Sequence, residues 1–199
     1  NPADPDDTPK LVALGKADIG IGSDPHMILA VGQGLPLLRA GTLLDQPMVA
    51  VVSYDVSKLQ DLKGKTIGYP VGDLDKFILG VMLSHVGLTL KDVNLIDVHF
   101  NLVQALLSKK VDAITGAMRD YEVPQIQMMG MKVHSFYPEN YGMPKYAELN
   151  YIINTQHQND PRIKLFLRAI KLATQYINKH PNAAWRGIIA QYPQLNTAL

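Results

Sequence analysis

Leu11-Val12-Ala13-Leu14-Gly15-Lys16-Ala17-Asp18-Ile19-Gly20 is echoed about ninety residues on by Ala105-Leu106-Leu107-Ser108-Lys109-Lys110-Val111-Asp112-Ala113-Ile114. Each stretch is an apolar helix end, a small polar turn carrying Lys, an apolar residue, an Asp and the start of a strand. Any two helix-to-strand turns share part of that pattern. Taken as a repeat, it implies two lobes of similar construction, and a cleft between such lobes is a standard place for a small ligand.

Working outward, strands alternate with helices. Thr8-Pro9 starts a short helix over Lys10–Leu14, and 17–22 reads as a short buried strand opening into Ser23-Asp24-Pro25. A helix of one or two turns over His26–Val31 stops at Gly32 and Gly34. Pro36–Ala40 and Met48–Tyr54 read as strands, and Thr66–Tyr69 as a strand that ends by Pro70. A helix from Asp73 or Leu74 to His85 follows, then a strand Val93–Val98, a helix Leu102–Ser108 and a strand Val111–Gly116. Tyr121–Met129 fits a helix with Pro124 in its first turn, and Lys132–Tyr137 and Leu149–Asn154 are further strands. From Asp160-Pro161 the texture changes: Ile163, Phe166, Leu167, Ile170, Ala173, Thr174 and Ile177 fall on one helical face. His180-Pro181 breaks that helix, and Asn182–Ala190 forms the last one. The alternation predicts an α/β fold with a parallel or mixed sheet.

Bulk properties narrow the chemistry. The 199 residues carry a net charge of +1 and are 47% hydrophobic, enough for one domain or two small lobes. Lys and Arg are scattered, dense only at Lys63-Gly64-Lys65 and Lys109-Lys110, so nothing argues for nucleic acid. With no cysteine, disulfides, thiolate metal sites and cysteine nucleophiles are excluded. His26, His85, His99, His134, His157 and His180 form no short metal-ligand pair, and there is no P-loop. No cofactor is implied. No apolar run is long enough to span a membrane, and Asn1–Asp7 lacks the features of a signal peptide. Either the chain is cytoplasmic or an exported leader has been removed.

The ordered segments at 15–20, 61–69, 100–108 and 111–117 resemble type II periplasmic binding proteins of the THI5-like (NMT1/THI5-like) group. Tyr141-Gly142-Met143-Pro144 and Tyr146-Ala147-Glu148-Leu149 resemble its ThiY-type, formylaminopyrimidine-binding branch. The likeness runs nearly the whole length and rests on the set, since the stretch Leu62–Gly68 occurs across many solute-binding proteins. It implies two α/β lobes with a mixed sheet each, joined by two hinge crossings. Lobe 1 would be residues 1–50 plus 150–199, and lobe 2 residues 54–147, with crossings at 48–54 and 149–154. Family members begin with a further strand–helix–strand unit, so the chain is expected to be truncated at both ends. The implied role is the substrate-binding protein of an ABC-type importer. It would be a monomer that docks on a membrane permease and binds a small heterocycle, a thiamin-precursor pyrimidine. Its place would be the periplasm or the outer face of the cytoplasmic membrane, any leader or lipid anchor lying before residue 1.

Site residues follow from both arguments. Asp24 is well placed to cap a helix, and Ser23 and Asp24 also occupy the loop facing the family's cleft. Tyr69-Pro70-Val71-Gly72-Asp73 joins a strand to a helix start, where sulfonate-binding relatives carry hydroxyl residues. Gly72 and Asp73 in that loop disfavour an anion, and Asp73 fits a helix cap. Glu122 aligns with a family acidic residue. A carboxylate there can accept from the exocyclic amine of an aminopyrimidine, or it can pair with Arg119. Tyr69, Tyr121, Tyr141 and Tyr146 can stack on a flat ring or serve as ordinary core and rim. Asn101 can bond the ring edge or cap a helix. Eukaryotic members of the group are pyrimidine phosphate synthases that use pyridoxal phosphate, a histidine and a cysteine-rich motif. The lack of cysteine argues for a binding protein and not an enzyme. Riboflavin, taurine and alkanesulfonates are the other ligands that the resemblance allows.

Overall fold

A computed structural model describes residues 7–70 and 73–195. The first of its two compact units runs to Asn154 and contains two sheets. Its strands are β1 (Gly20–Gly22), β2 (Leu37–Leu44), β3 (Val49–Ser53), β4 (Thr66–Tyr69), β5 (Asn94–Asp97), β6 (Ala113–Met118), β7 (His134–Phe136) and β8 (Leu149–Asn154). Its helices are α1 (Asp7–Ala13), α2 (Asp24–Gly32), α3 (Leu74–His85), α4 (Leu102–Leu107) and α5 (Glu122–Met128).

The larger sheet has the order β5-β4-β6-β3-β7. It is mixed: β4 runs parallel to β5 and β6, whereas β3 is antiparallel to β6 and β7. The alternation of side chains along β3 shows why the sheet sits between two helical layers. Val49 and Val51 face Ile67 and the Ile78, Leu79, Met82 and Leu83 face of α3. Ala50 and Val52 face Leu102 and Leu106 of α4 and Val123 and Ile126 of α5. Each such buried aliphatic side chain contributes about 1.5–3 kcal/mol.

The smaller sheet has the order β1-β8-β2, and its described pairs are antiparallel. The expectation of a mixed sheet therefore holds for the five-stranded sheet only. Val12, Ala30, Leu37 and Ile152 make the core under α1 and α2.

The echoed turns have the same geometry. Lys16 N–H donates to Leu11 O at 2.9 Å, and Lys110 N–H donates to Ala105 O at 3.1 Å. Gly15 and Lys109 take positive φ, at 68° and 57°. Both are helix ends closed by a left-handed residue, and they lead into β1 and β6, one strand in each sheet.

The segments 48–54 and 149–154, expected as crossings, are mostly strand: Val49–Ser53 pairs within the five-stranded sheet and Leu149–Asn154 is the middle of the three-stranded one. The chain passes between the sheets just before each, after Leu44 and again before Leu149.

The second unit, Thr155–Leu199, holds α6 (Pro161–Lys179) and α7 (Pro181–Gln191). Asp160 caps α6 by accepting from Arg162 N–H at 2.9 Å, and Pro161 takes the first helical position.

Candidate ligand-binding site

A cavity of about 310 Å³ opens between the two sheets of the first unit. The β1 end and Ser23 wall it on one side, and Val49, Gly116 and Met118 on the other, while α3 supplies Leu74, Asp75 and Ile78. Phe100 and Leu102 add apolar surface. Three carboxylates line it, those of Asp75, Glu122 and Glu148. His26 is the one basic side chain among its described lining residues.

Glu122 stands at the start of α5 and lines the cavity. Its Oε2 accepts from the Met118 N–H at 2.8 Å. The alternative pairing with Arg119 is not formed. Arg119 turns to Glu139, with two hydrogen bonds of 2.9 and 3.0 Å, and stacks on Tyr137 at 4.2 Å. Burial raises the Glu139 carboxyl, but the Arg119 bonds outweigh it and hold the group below its ordinary value.

Ser23 also lines the cavity, and it, rather than Asp24, caps α2. Its Oγ accepts from His26 N–H at 3.4 Å and lies 2.8 Å from His26 Nδ1. Asp24 is the first residue of the helix, which frees its carboxylate to reach across to the β8 region. That carboxylate accepts from Ala147 N–H at 2.9 Å, Asn150 Nδ2 at 2.7 Å and Arg39 at 3.0 Å. It ties α2 to the small sheet and lines a neighbouring groove of about 570 Å³, not the cavity.

The remaining expected residues lie elsewhere. Tyr121 is exposed, and with Asn101 it borders a smaller groove of about 190 Å³ beside Glu122. Asn101 and Asp73 stand at helix starts, yet neither side chain makes the capping bond; Asp73 pairs with Lys76 at 2.6 Å. The Lys76 ammonium sits 4.8 Å over the Tyr69 ring, outside the cavity. Tyr141 packs edge-on against Phe136 and His85, at the border of the large sheet's core. Tyr146 is buried in that core, and its hydroxyl donates to Glu148 at 3.4 Å. None of the four tyrosines lines the cavity, because each has a stacking, packing or solvent role already. Gly72 lies outside the described residues.

Glu148 is the residue that sequence reasoning missed. Its Oε2 accepts from Met48 N–H at 2.8 Å. Burial pushes its carboxyl above the ordinary 4.5, with Met48 and Tyr146 holding it partway back. A charge immediately before an apolar strand was the available signal, but the Met48 amide that anchors it is distant in sequence. Gly116 was missed as well. At φ +79°, a Cβ there would lie 2.9 Å from the Asp75 carboxylate and from Pro70. Only glycine lets α3 bring Asp75 down onto β6. Among the described residues no group of three or more His, Asp or Glu side chains could hold a metal ion.

This α/β architecture is the fold of periplasmic solute-binding proteins. It matches the aliphatic sulphonate-binding protein SsuA of Escherichia coli with a TM-score of 0.77 at 16% identity, over 95% of this chain and 66% of that one. The alkanesulfonate-binding protein of Xanthomonas axonopodis pv. citri gives 0.72 at 17% identity, over 96% and 67%. The chain belongs to the NMT1/THI5-like family, whose model matches residues 1–184. A Haemophilus influenzae protein named for thiamine biosynthesis is 40% identical over the whole chain and 64% of its own length. The formylaminopyrimidine-binding protein of Halalkalibacterium halodurans is 28% identical over the whole chain and 62% of its length. The Saccharomyces cerevisiae 4-amino-5-hydroxymethyl-2-methylpyrimidine phosphate synthase THI5 is 29% identical, again over 62% of its length. The chain thus spans somewhat under two thirds of these relatives.

Proposed function

We propose that this protein is the substrate-binding component of an ABC-type importer and holds a thiamin-precursor pyrimidine, formylaminopyrimidine or a hydroxymethylpyrimidine, in the cavity between its sheets. The observation that supports this most is the cavity's charge: three carboxylates face it, and no Lys or Arg does among the described lining residues. Such a wall takes amines and repels a sulfonate, whose charge would stand unpaired in a partly desolvated space. The apolar surfaces of Phe100, Leu102 and Ile78 suit a flat ring.

In this reading each sheet is the heart of one lobe, the two passages between sheets act as hinges, and closure on the ligand prepares the protein for its permease. The site of action is the outer side of the cytoplasmic membrane. Titration calorimetry tests the ligand class. Formylaminopyrimidine should bind at about 1 µM or tighter, and an alkanesulfonate should not. Binding of the sulfonate alone overturns the proposal.

The relatives named as synthases support a second reading, an enzyme that builds the pyrimidine. The 199 residues hold no cysteine for the motif that such enzymes use. A visible Schiff-base band on adding pyridoxal phosphate, with pyrimidine phosphate formed, would favour the synthase.

A further inference from the structure

We propose that Glu148 is a specificity-determining residue that works with Glu122 as a two-point clamp, selecting a ligand with two separate N–H donor groups; this rests on the cavity being the ligand site, as proposed above.

The two carboxylates are mounted alike. Glu122 Oε2 takes the Met118 N–H and Glu148 Oε2 takes the Met48 N–H, each at 2.8 Å. Both amides lie at one end of the β3–β6 ladder: Met118 stands opposite Val49, and Arg119 N–H donates to Met48 O at 2.8 Å. In each residue the second oxygen, Oε1, makes no hydrogen bond to a described residue. Neither is sealed in protein, since Arg119 Nε is the one buried side-chain polar atom without a partner among the described residues. Both residues line the same cavity.

Two anchored carboxylates with spare acceptors thus face one small space from different elements, α5 and the passage before β8. Backbone anchoring fixes their rotamers before a ligand arrives, so little side-chain freedom is lost on binding. A spare carboxylate oxygen drawn out of water costs free energy until a donor reaches it. A ligand with one amine satisfies one carboxylate and leaves the other exposed to that cost. A ligand with two N–H groups on different substituents satisfies both. Glu148 also bonds Met48, so it touches both passages between the sheets.

The test is calorimetry on the wild type, Glu148→Gln and Glu122→Gln. The probes are 4-amino-5-aminomethyl-2-methylpyrimidine, 4-amino-2,5-dimethylpyrimidine with the second donor removed, and 2-aminobenzylamine with both donors on a benzene ring. Glutamine still accepts from the anchoring amide, and Glu148→Asp serves as a second variant should Glu148→Gln melt early. The wild type should prefer the two-donor pyrimidine to the one-donor one by roughly 10- to 100-fold, the scale of a hydrogen bond to a charged group. The Glu148 substitutions should erase most of that preference, whereas Glu122→Gln should weaken binding of both pyrimidines. An unchanged preference in the Glu148 variants overturns the clamp. Equal wild-type affinity for both pyrimidines overturns it too, while leaving the pyrimidine reading intact. Binding of 2-aminobenzylamine alone, weakened in both glutamine variants, supports the clamp and removes the pyrimidine. Binding of none of the three overturns both.

Discussion

Glu148 carries a pH signature. Burial places its folded-state pKa above 4.5, the value taken for the unfolded chain. Between the two values the folded protein binds more protons than the unfolded one, so stability falls as pH rises through that window and returns on acidification. Its neighbours are Tyr146, whose own pKa burial pushes far up, and His26 and Arg119, which oppose the shift, with Asp75 and Glu122 on the shared cavity. Glu148→Gln removes the titration. Chemical denaturation from about pH 7 to about pH 5 should therefore show the wild type gaining stability relative to the variant; a relative loss contradicts the assignment. At this scale the sequence was half legible. Glu122 could be singled out because it follows a strand end and aligns with an acidic residue of the family it resembles. Glu148 could not, since the Met48 N–H that anchors it lies 100 residues away in sequence. Asp24 was misassigned because in Ser23-Asp24-Pro25 either polar residue can cap; the extended backbone of Ser23, φ −85° and ψ 161°, decides it.

The elements are held by local devices with measurable worth. Ser23→Ala removes the α2 cap and should cost about 1 kcal/mol in denaturant unfolding, with weaker ligand binding because Ser23 lines the cavity. Gly116→Ala forces a side chain into positive φ against Asp75 and Pro70. It should cost about 1–3 kcal/mol and displace the Asp75 carboxylate from the cavity floor. Unchanged stability would mean that β6 relaxes freely there. Elements with strong punctuation were readable to within a residue or two: α3 ends before Gly87, β8 spans Leu149–Asn154, and α6 lies between Asp160-Pro161 and His180-Pro181. Strands whose length depends on a partner were not. β2 runs on to Leu44 because β8 pairs along it through two register shifts, and β1 shrinks to Gly20–Gly22, the stretch that pairs with β8.

For the molecule as a whole, the alternation of strands and helices was enough to give the α/β class, because its punctuation is local, and the resemblance of the ordered segments pointed to the family. The cavity was not, since it arises from how two sheets face each other and where Gly116 lets a helix descend. The fold is shared with sulfonate-binding proteins, so the fold alone does not choose the ligand. Enclosing a flat ring against Phe100, Leu102 and Ile78 should give a negative heat-capacity change, measurable by calorimetry at several temperatures; a value near zero would place the ligand on an open surface. The most direct measurement is a crystal structure of the protein with an aminopyrimidine. The account predicts the ring between the two sheets, with its nitrogen donors on the free oxygens of Glu122 and Glu148. A ring bound elsewhere, or turned with no donor toward either carboxylate, would contradict it.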